Sequence, residues 1–247
     1  MATDVHVGPL REQRRKPRVG LIVPPANTAV EDDYLTLGGD VFAFSTARYG
    51  VYHDVGLRQR LDRYAAELPS RLMSFGSMPL HAIMACCSGN HYLQGFDADL
   101  RDCRTASECT GVITVSTTVA VVAWLRHRGI NTITIASPHP DWLTDLSEKY
   151  WTSAGFEIDS VIRVVDKTTG MTAGSPYQLG TDDIVTAVRD AELLGTPILL
   201  VGTGVHTQAA VTTLTQQFTG QEFYTSNSCG AAWLRLTLDN PNPLARL

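Results

Sequence analysis

The chain has 247 residues, of which 44% are hydrophobic and 18% charged, and its formal net charge at neutral pH is −5. This is enough apolar material for a large buried core, in one large α/β unit or in two smaller lobes. The acidic balance disfavours a nucleic-acid partner, because proteins that bind nucleic acids usually present a basic face. No apolar run reaches the roughly 20 residues of a membrane helix, so we expect no membrane partner.

The N-terminus is polar, with a basic cluster at residues 14–16 and no apolar stretch of the kind found in signal peptides. We expect residues 1–16 to form a flexible tail. The five cysteines, two of them adjacent, do not make a paired disulfide framework. We therefore expect free thiols and a cytoplasmic location.

Short β-branched runs that end in Gly, Pro, Ser or Asn predict eight strands, and the longer stretches between them predict six helices. The predicted strands are 18–23, 41–46, 81–85, 112–115, 132–136, 156–165, 197–201 and 222–224. The predicted helices are 57–75, 117–128, 141–154, 181–194, 209–218 and 228–238. This alternation favours an α/β fold with parallel sheets and right-handed crossovers.

The two halves of the chain contain similar segments in the same order. Thr117 and Thr118 precede a stretch that ends Ala-Trp-Leu-Arg, and Ser226 and Asn227 precede another with the same ending. Either pair would cap the start of a helix. Although strands of α/β proteins tend to look alike, we favour a duplication with a period of roughly 110 residues.

The duplication predicts two pseudo-symmetric flavodoxin-like lobes with parallel sheets and a site in the cleft between them. The first lobe would span residues 17–115 and be completed by a C-terminal helix at 226–247. The second lobe would span residues 116–225. Since ligands of such sheets bind beyond the carboxyl ends of the strands, we look for function where a buried strand meets a polar turn.

The strongest local signal follows the third predicted strand. This strand ends at Cys86, and the small polar residues Ser88, Gly89 and Asn90 come soon after it. Backbone N–H groups in such a turn bind anions and favour the reactive thiolate. Alternation along the strand would turn Cys87 away from the side that Cys86 faces. We predict that Cys86 is catalytic, the alternative being a buried structural cysteine.

Two further strand ends carry polar or small residues. After the first strand, two prolines, the second being Pro25, stiffen a loop that leads to Asn27. Asn27 could bind a carboxylate, or it could cap a helix that has Glu31 in its first turns. After the seventh strand, Gly202 and Gly204 are too few for a dinucleotide-binding loop and indicate instead a close approach of backbone to ligand.

These three segments resemble the aspartate/glutamate racemase superfamily, and within it the branch of the maleate cis-trans isomerases and arylmalonate decarboxylases. Residues 23–31 are similar to the branch's Val-Pro-x-x-Asn-Thr-x-x-Glu pattern. Residues 85–89 are similar to its Ala-Cys-Thr-Ser-Gly turn, with Cys87 where threonine is usual. The resemblance covers residues 17–240.

The resemblance implies two cysteines on opposite faces of the substrate, one from each half of the chain. Cys86 takes the first position, but the second position falls at Gly202, so that thiol is missing. A tyrosine usual in the isomerase branch falls near His139, and a family asparagine has no clear match near residues 168–170. Racemisation by two cysteines is therefore disfavoured.

A single thiolate could add to an activated C=C bond, allow rotation and then leave, which is a cis-trans isomerisation. The resemblance thus implies a cofactor-independent isomerase that acts on a small carboxylate, or dicarboxylate, through Cys86. One alternative is an arylmalonate-type decarboxylase in which Cys86 donates a proton. Another is an inactive homologue that only binds a small carboxylate.

Either reaction develops negative charge on a carboxylate, which backbone N–H groups would stabilise. We expect no cofactor and no metal, because the spacings of histidine and cysteine match no metal site. The expected partner is the small carboxylate substrate, and a homo-oligomer is left open. The residues expected to contact the substrate are Pro25, Asn27, Cys87, Ser88, Gly89, Asn90, Thr117, His139, Gly202, Gly204, Val205 and His206.

Overall fold

The computed structural model describes residues 16–166, 176–191, 195–240 and 244, which form two parallel four-stranded sheets. The strands of the first sheet are β1 (Arg18–Val23), β2 (Ala43–Arg48), β3 (Ala82–Ala85) and β4 (Ile113–Ser116). The strands of the second sheet are β5 (Thr132–Ser137), β6 (Glu157–Arg163), β7 (Ile198–Leu200) and β8 (Phe223–Thr225). The strand orders, β2-β1-β3-β4 and β6-β5-β7-β8, are equivalent, and the predicted α/β fold with two sheets is confirmed.

Nine helices connect and flank these strands in the described part of the chain. They are α1 (Ala29–Gly38), α2 (Leu57–Met73), α3 (Ser88–Gln94), α4 (Phe96–Thr110), α5 (Thr117–His127), α6 (Asp141–Ser153), α7 (Thr181–Asp190), α8 (Gln208–Gln217) and α9 (Ser226–Leu236). A short 3₁₀ turn covers Pro176–Gln178. None of these helices is both long and apolar enough to cross a membrane.

The six predicted helices are present. Of the other three, α1 is the helix considered as one alternative for Asn27, whereas α3 and α4 occupy a stretch for which the sequence predicted no helix. The buried positions of α4 are Phe96, Asp99, Leu100, Cys103 and Ala106. This is a helical spacing, but small and polar residues fill several of the positions, so the apolar signal is weak. Residues 168–170, and parts of the predicted tail and of the C-terminal segment, lie outside the described residues.

The similar segments of the two halves form equivalent pairs, β4 with α5 and β8 with α9. The predicted helix caps are wrong in register. Ser116 accepts the N–H of Val119, and Thr225 accepts the N–H of Ser228, so each cap lies before the predicted pair. Helices α5 and α9 pack against each other, and α9 also packs against α1. The lobe boundary between residues 115 and 116 stays a prediction.

One hydrophobic cluster extends across both sheets. It contains Val19 and Met84 of the first sheet together with Ile133 and Leu199 of the second. A separate cluster lies between the second sheet and helices α7 and α8. Because such cores are close-packed and transmit strain, the common cluster holds the ends of the two sheets in a fixed relation.

A buried carboxylate joins helix α4 to four other elements, α3, β4, α5 and α6. Oδ1 of Asp99 lies 2.9 Å from Nδ1 of His91, and Oδ2 accepts hydrogen bonds from Ser116, Thr118 and Tyr150 at 2.6–2.7 Å. Burial raises the pKa of Asp99, but His91 and the hydroxyl donors outweigh that effect and hold this pKa below its usual range. The network connects α3, which begins beside the candidate site, to α5 and α6.

We expect Asp99→Ala to lower the free energy of unfolding by about 3–5 kcal/mol, because it leaves buried polar partners without their acceptor. Urea denaturation at neutral pH measures this value. Glu108→Ala, an exposed change on the same helix, is the control and should stay within about 0.5 kcal/mol of wild type. Equal effects of the two substitutions would contradict a structural role for the network.

Candidate active site

A cleft with about 610 Å³ of empty space, counting its open mouth, lies at the carboxyl ends of the central strands of both sheets. This volume is within the usual range of small-molecule sites. The cleft is lined by Pro24, Leu57, Arg60, Leu61, Tyr64, Cys87, Ser88, Gly89, His139, Pro140, Leu143, Tyr177, Gly202, Thr203 and Gly204. The loops after β1, β3, β5 and β7 therefore meet at one place, as the parallel topology predicts.

The two adjacent thiols point in different directions, and Cys87 is the one that lines the cleft. Cys87 is 6% exposed, and the backbone N–H groups of Asn90 and Gly89 act to lower the pKa of its thiol. Burial raises the pKa of the Cys87 thiol to about 11, and these two N–H groups act against that rise. Cys87 is therefore a protonated thiol at neutral pH, with hydrogen-bond donors already in place for a thiolate.

Cys86 lies in the layer beneath the cleft. It is fully buried, and its Sγ donates to the carbonyl of Met84 at 3.5 Å. Burial raises its pKa to about 12, while hydrogen bonds with Thr117 and Tyr34 act in the opposite direction. Alternation separates the two thiols as expected, but the side that faces the cleft is that of Cys87. The catalytic assignment of Cys86 stays a prediction, and Cys87 has the position that contact with a substrate requires.

The start of helix α3 supplies the rest of the first wall. The hydroxyl of Ser88 is buried, lines the cleft and lies beside the phenol of Tyr92, whose pKa it acts to lower. A Cβ at Gly89 would lie 3.0 Å from the side chain of Leu61, so glycine allows α2 and α3 to approach closely here. The side chain of Asn90 is buried but does not line the cleft; it borders a second, small cavity beside Asp99.

His139 forms the opposite wall together with Gly202. A Cβ at Gly202 would lie 3.3 Å from Cε1 of His139, so the imidazole occupies the space towards which a side chain at this position would project. Nε2 of His139 is buried and has no hydrogen-bond partner in the described structure. Burial lowers the pKa of His139 to about 4, which makes the imidazole neutral at physiological pH.

Thr203 connects the two walls. Its Oγ1 donates to the carbonyl of Cys86 at 3.0 Å and accepts from Nδ2 of Asn27 at 3.3 Å. Its own carbonyl accepts from Nδ2 of Asn227, which also donates to Asp33. Asn27 thus supports the cleft through Thr203 and does not line it. Its Oδ1 accepts the N–H of Val30, which is the helix-start role considered from the sequence.

Solved structures with this fold include two maleate isomerases and an arylmalonate decarboxylase. A maleate cis-trans isomerase of Nocardia farcinica, described with a covalently bound succinylcysteine intermediate, superposes with a TM-score of 0.78 at 20% identity, over 90% of this chain and 93% of that one. The maleate isomerase Iso of Pseudomonas putida S16 gives 0.78 at 16% identity, over 92% and 95%. Unliganded arylmalonate decarboxylase gives 0.69 at 16% identity, over 90% and 92%.

The chain has the maleate isomerase fold. The resemblance detected in the sequence is confirmed at this level. No protein-family model matches the sequence, and no curated protein matches it either.

Several predicted site residues of this maleate-isomerase-like chain lie outside the cleft lining. Thr117 is buried and donates to the carbonyl of Ala85 at 3.4 Å. Val205 is also buried, whereas His206 is exposed and its Nε2 lies 3.1 Å from Oγ1 of Thr28. An exposed, outward-facing His206 does not supply a group to the cleft. Of the two proline residues, Pro24 lines the cleft and Pro25 does not.

Three residues at or beside the cleft, Arg48, Tyr177 and Arg60, were not predicted from the sequence, and the role of each depends on distant parts of the chain. Arg48 donates to the carbonyls of Pro24, Pro25 and Asn27 and pairs with Glu31 at 2.6 Å, which fixes the first loop. The ring of Tyr177 lies where a Cβ of Gly204 would be. Arg60 brings a positive charge from α2 to the cleft. Of these three residues, only Arg48 had a signal in the sequence, namely its position directly before a Tyr-Gly pair.

The buried neutral state of His139 makes the protein sensitive to acid. In the unfolded chain histidine takes up a proton below a pH of about 6.5, whereas His139 in the folded protein does so only near 4. The stability that the neutral group contributes is therefore lost as the pH falls from about 6.5 to about 4. We expect wild type to lose about 2–3 kcal/mol more than His139→Gln between pH 7.5 and 4.5 in urea titrations. Parallel curves for the two proteins would contradict the neutral assignment.

Gly202 is constrained both by its backbone and by its neighbours. Its φ of +100° is rarely adopted by other residues, and Pro138 and His139 leave little space for a Cβ. We expect Gly202→Ala to cost about 1–3 kcal/mol in the free energy of unfolding. Gly56→Ala, at a position with open space and an ordinary φ of −66°, should cost less than about 0.5 kcal/mol. A cysteine at position 202 would meet the same obstacles. A Gly202→Ala or Gly202→Cys protein as stable as wild type would contradict the constraint on Gly202.

Proposed function

We propose that the chain is a cofactor-independent isomerase that converts a small unsaturated carboxylate between its cis and trans forms by thiol addition. The observation that carries the proposal is the position of Cys87, a thiol on the cleft wall beside the start of α3. Two backbone N–H groups of that helix act to lower the pKa of this thiol. The fold supports the choice of reaction, since the TM-scores are 0.78 for the two maleate isomerases and 0.69 for the unliganded decarboxylase.

The proposed step begins when Cys87 loses its proton to solvent and its thiolate attacks one carbon of the C=C bond. A carbon–sulfur bond forms, and the π electrons move onto the adjacent carboxylate as an enediolate. Rotation about the new single bond precedes the reverse step, in which the C=C bond re-forms and the thiolate leaves. The hydroxyl of Ser88, which lines the cleft next to Cys87, is placed to donate to the developing charge.

A second candidate reaction is the decarboxylation of a malonate-type acid, favoured by the raised pKa of the Cys87 thiol. A group with a pKa of about 11 is protonated at neutral pH and is suited to donate its proton. Loss of CO₂ from the substrate leaves an enediolate. Cys87 then protonates the carbon, and solvent returns a proton to the thiolate. This reaction needs no thiolate in the resting protein.

The two reactions are distinguished by proton NMR in D₂O with maleate and with aryl- and alkylmalonates as substrates. Isomerisation gives the trans alkene, whereas decarboxylation gives an acid that carries deuterium at the α carbon. Turnover of the malonates without isomerisation of any alkene would replace the first proposal by the second. Absence of turnover across the panel, with binding retained, would indicate a homologue that only binds small carboxylates.

Paired substitutions test which thiol reacts. We expect Cys87→Ala to lower kcat by about 1000-fold or more, because the reacting group is lost, and Cys86→Ala to stay within about tenfold of wild type. Steady-state kinetics and a thermal melt of each variant provide the measurements. The reverse result, an active Cys87→Ala and an inactive but folded Cys86→Ala, would establish the assignment made from the sequence.

A further inference from the structure

Arg60 is the only charged side chain among the described residues that line the cleft, apart from the histidine that burial keeps neutral. It is half-buried on helix α2, on the side that faces the start of α3. Of the residues that the structure describes, no acidic one lines this cleft and none forms an ion pair with Arg60. Within the described part of the chain, a cation placed in this way has no counterion.

The other arginines of α2 each have a partner. Arg58 lies over the ring of Trp142, Arg63 lies over Tyr52 and pairs with Asp54, and Arg71 pairs with Glu67. Arg60 therefore differs from the other arginines of this helix, whose side chains are already engaged by partners. Its guanidinium is free to bind a group that enters the cleft.

The surroundings of Arg60 strengthen its interaction with an anion. Leu57, Leu61 and Leu143 line the same cleft, and apolar walls reduce the screening of charge by water. The positive charge of Arg60 influences the reacting thiol, since it acts to lower the pKa of Cys87. Arg60 and Cys87 therefore belong to one electrostatic site.

A monocarboxylate held at the start of α3 would leave Arg60 without an anion. The buried hydroxyl of Ser88, which lines the cleft beside the thiol, marks this first position. Arg60, on the neighbouring helix, marks a second position in the same cleft. Two positions that each favour negative charge are suited to a ligand with two anionic groups.

We propose that Arg60 is a specificity-determining residue, which binds a second anionic group of the substrate and makes the cleft select small dianions over monoanions. The inference rests on the proposed function for the identity of the reacting thiol. It adds the residue that binds the end of the substrate farther from that thiol. A charge-assisted arginine–carboxylate contact at a half-buried position corresponds to a preference of about 10- to 100-fold.

Binding of two non-reacting acids tests the proposal without any turnover. Succinate and butyrate have the same chain length and differ by one carboxylate. We expect isothermal titration to give wild type an affinity for succinate at least about tenfold higher than for butyrate. Arg60→Gln should remove most of this preference, and Arg60→Lys should keep part of it because the charge remains. Arg63→Gln, on the same helix but paired outside the cleft, is the matched control and should behave as wild type.

Alkylation provides a second readout at the thiol itself. Iodoacetate and iodoacetamide carry the same leaving group and differ in charge, and peptide mass spectrometry in a Cys109→Ser background gives the rate at Cys87. We expect Arg60→Gln to lower the iodoacetate-to-iodoacetamide rate ratio by about tenfold, and Arg63→Gln to leave it unchanged.

The outcomes separate this inference from the proposed function. Equal affinities of wild type for succinate and butyrate, including no binding of either, would overturn the role of Arg60. So would a succinate preference that survives Arg60→Gln. A preference that depends on Arg60 in a protein without isomerase or decarboxylase turnover would support the role of Arg60 and reject the proposed reaction.

Discussion

The hydrogen bond from Thr203 to the carbonyl of Cys86 is the contact on which the geometry of the cleft depends. It spans 3.0 Å in the buried layer beneath the cleft, and it joins the chain directly after β7 to the chain directly after β3. The residues next to these two, Gly202 and Cys87, form opposing parts of the cleft lining. A shift at this bond would change the distance between the walls. Because water does not reach it, a broken bond would leave polar groups buried and unpaired.

The chemical character of the cleft follows from how the chain is buried around that bond. The thiol of Cys87 and the imidazole of His139 are both held in their neutral forms by burial. Apolar side chains of α2 and α6 complete the walls, and Arg60 adds one positive charge. Such a site has little resting negative charge, so an entering carboxylate meets no repulsion. This is an arrangement in which charge enters with the ligand and is stabilised by groups already in place.

The sequence predicted the sheets well because their strands are short, β-branched and bounded by turn residues. It also placed Ser88, Gly89, His139, Gly202 and Gly204 at strand ends that do meet in the cleft. It could not tell which of two adjacent thiols faces the cleft, since both sides of a covered parallel sheet are apolar and alternation shows only that the two differ.

The remaining misses have a different physical cause. The contacts of Arg48 depend on the direction of a strand end, and those of Arg60 on the angle of helix α2 relative to the site. The local sequence does not determine either angle. Helices α3 and α4 were missed because polar groups, among them Asp99, take the place of apolar residues on their buried faces. The structure satisfies those groups through hydrogen bonds between elements, which a periodicity argument cannot detect.

The two sheets have equivalent strand orders, yet the walls they contribute differ in chemistry, with a thiol from the first and an imidazole above a glycine from the second. This asymmetry affects the stereochemistry of any product formed in the cleft. A flat enediolate lying between these walls would meet a thiol proton on one face only, so a prochiral carbon would be converted into a single enantiomer. The half of the chain that supplies the cleft thiol would therefore determine which enantiomer forms.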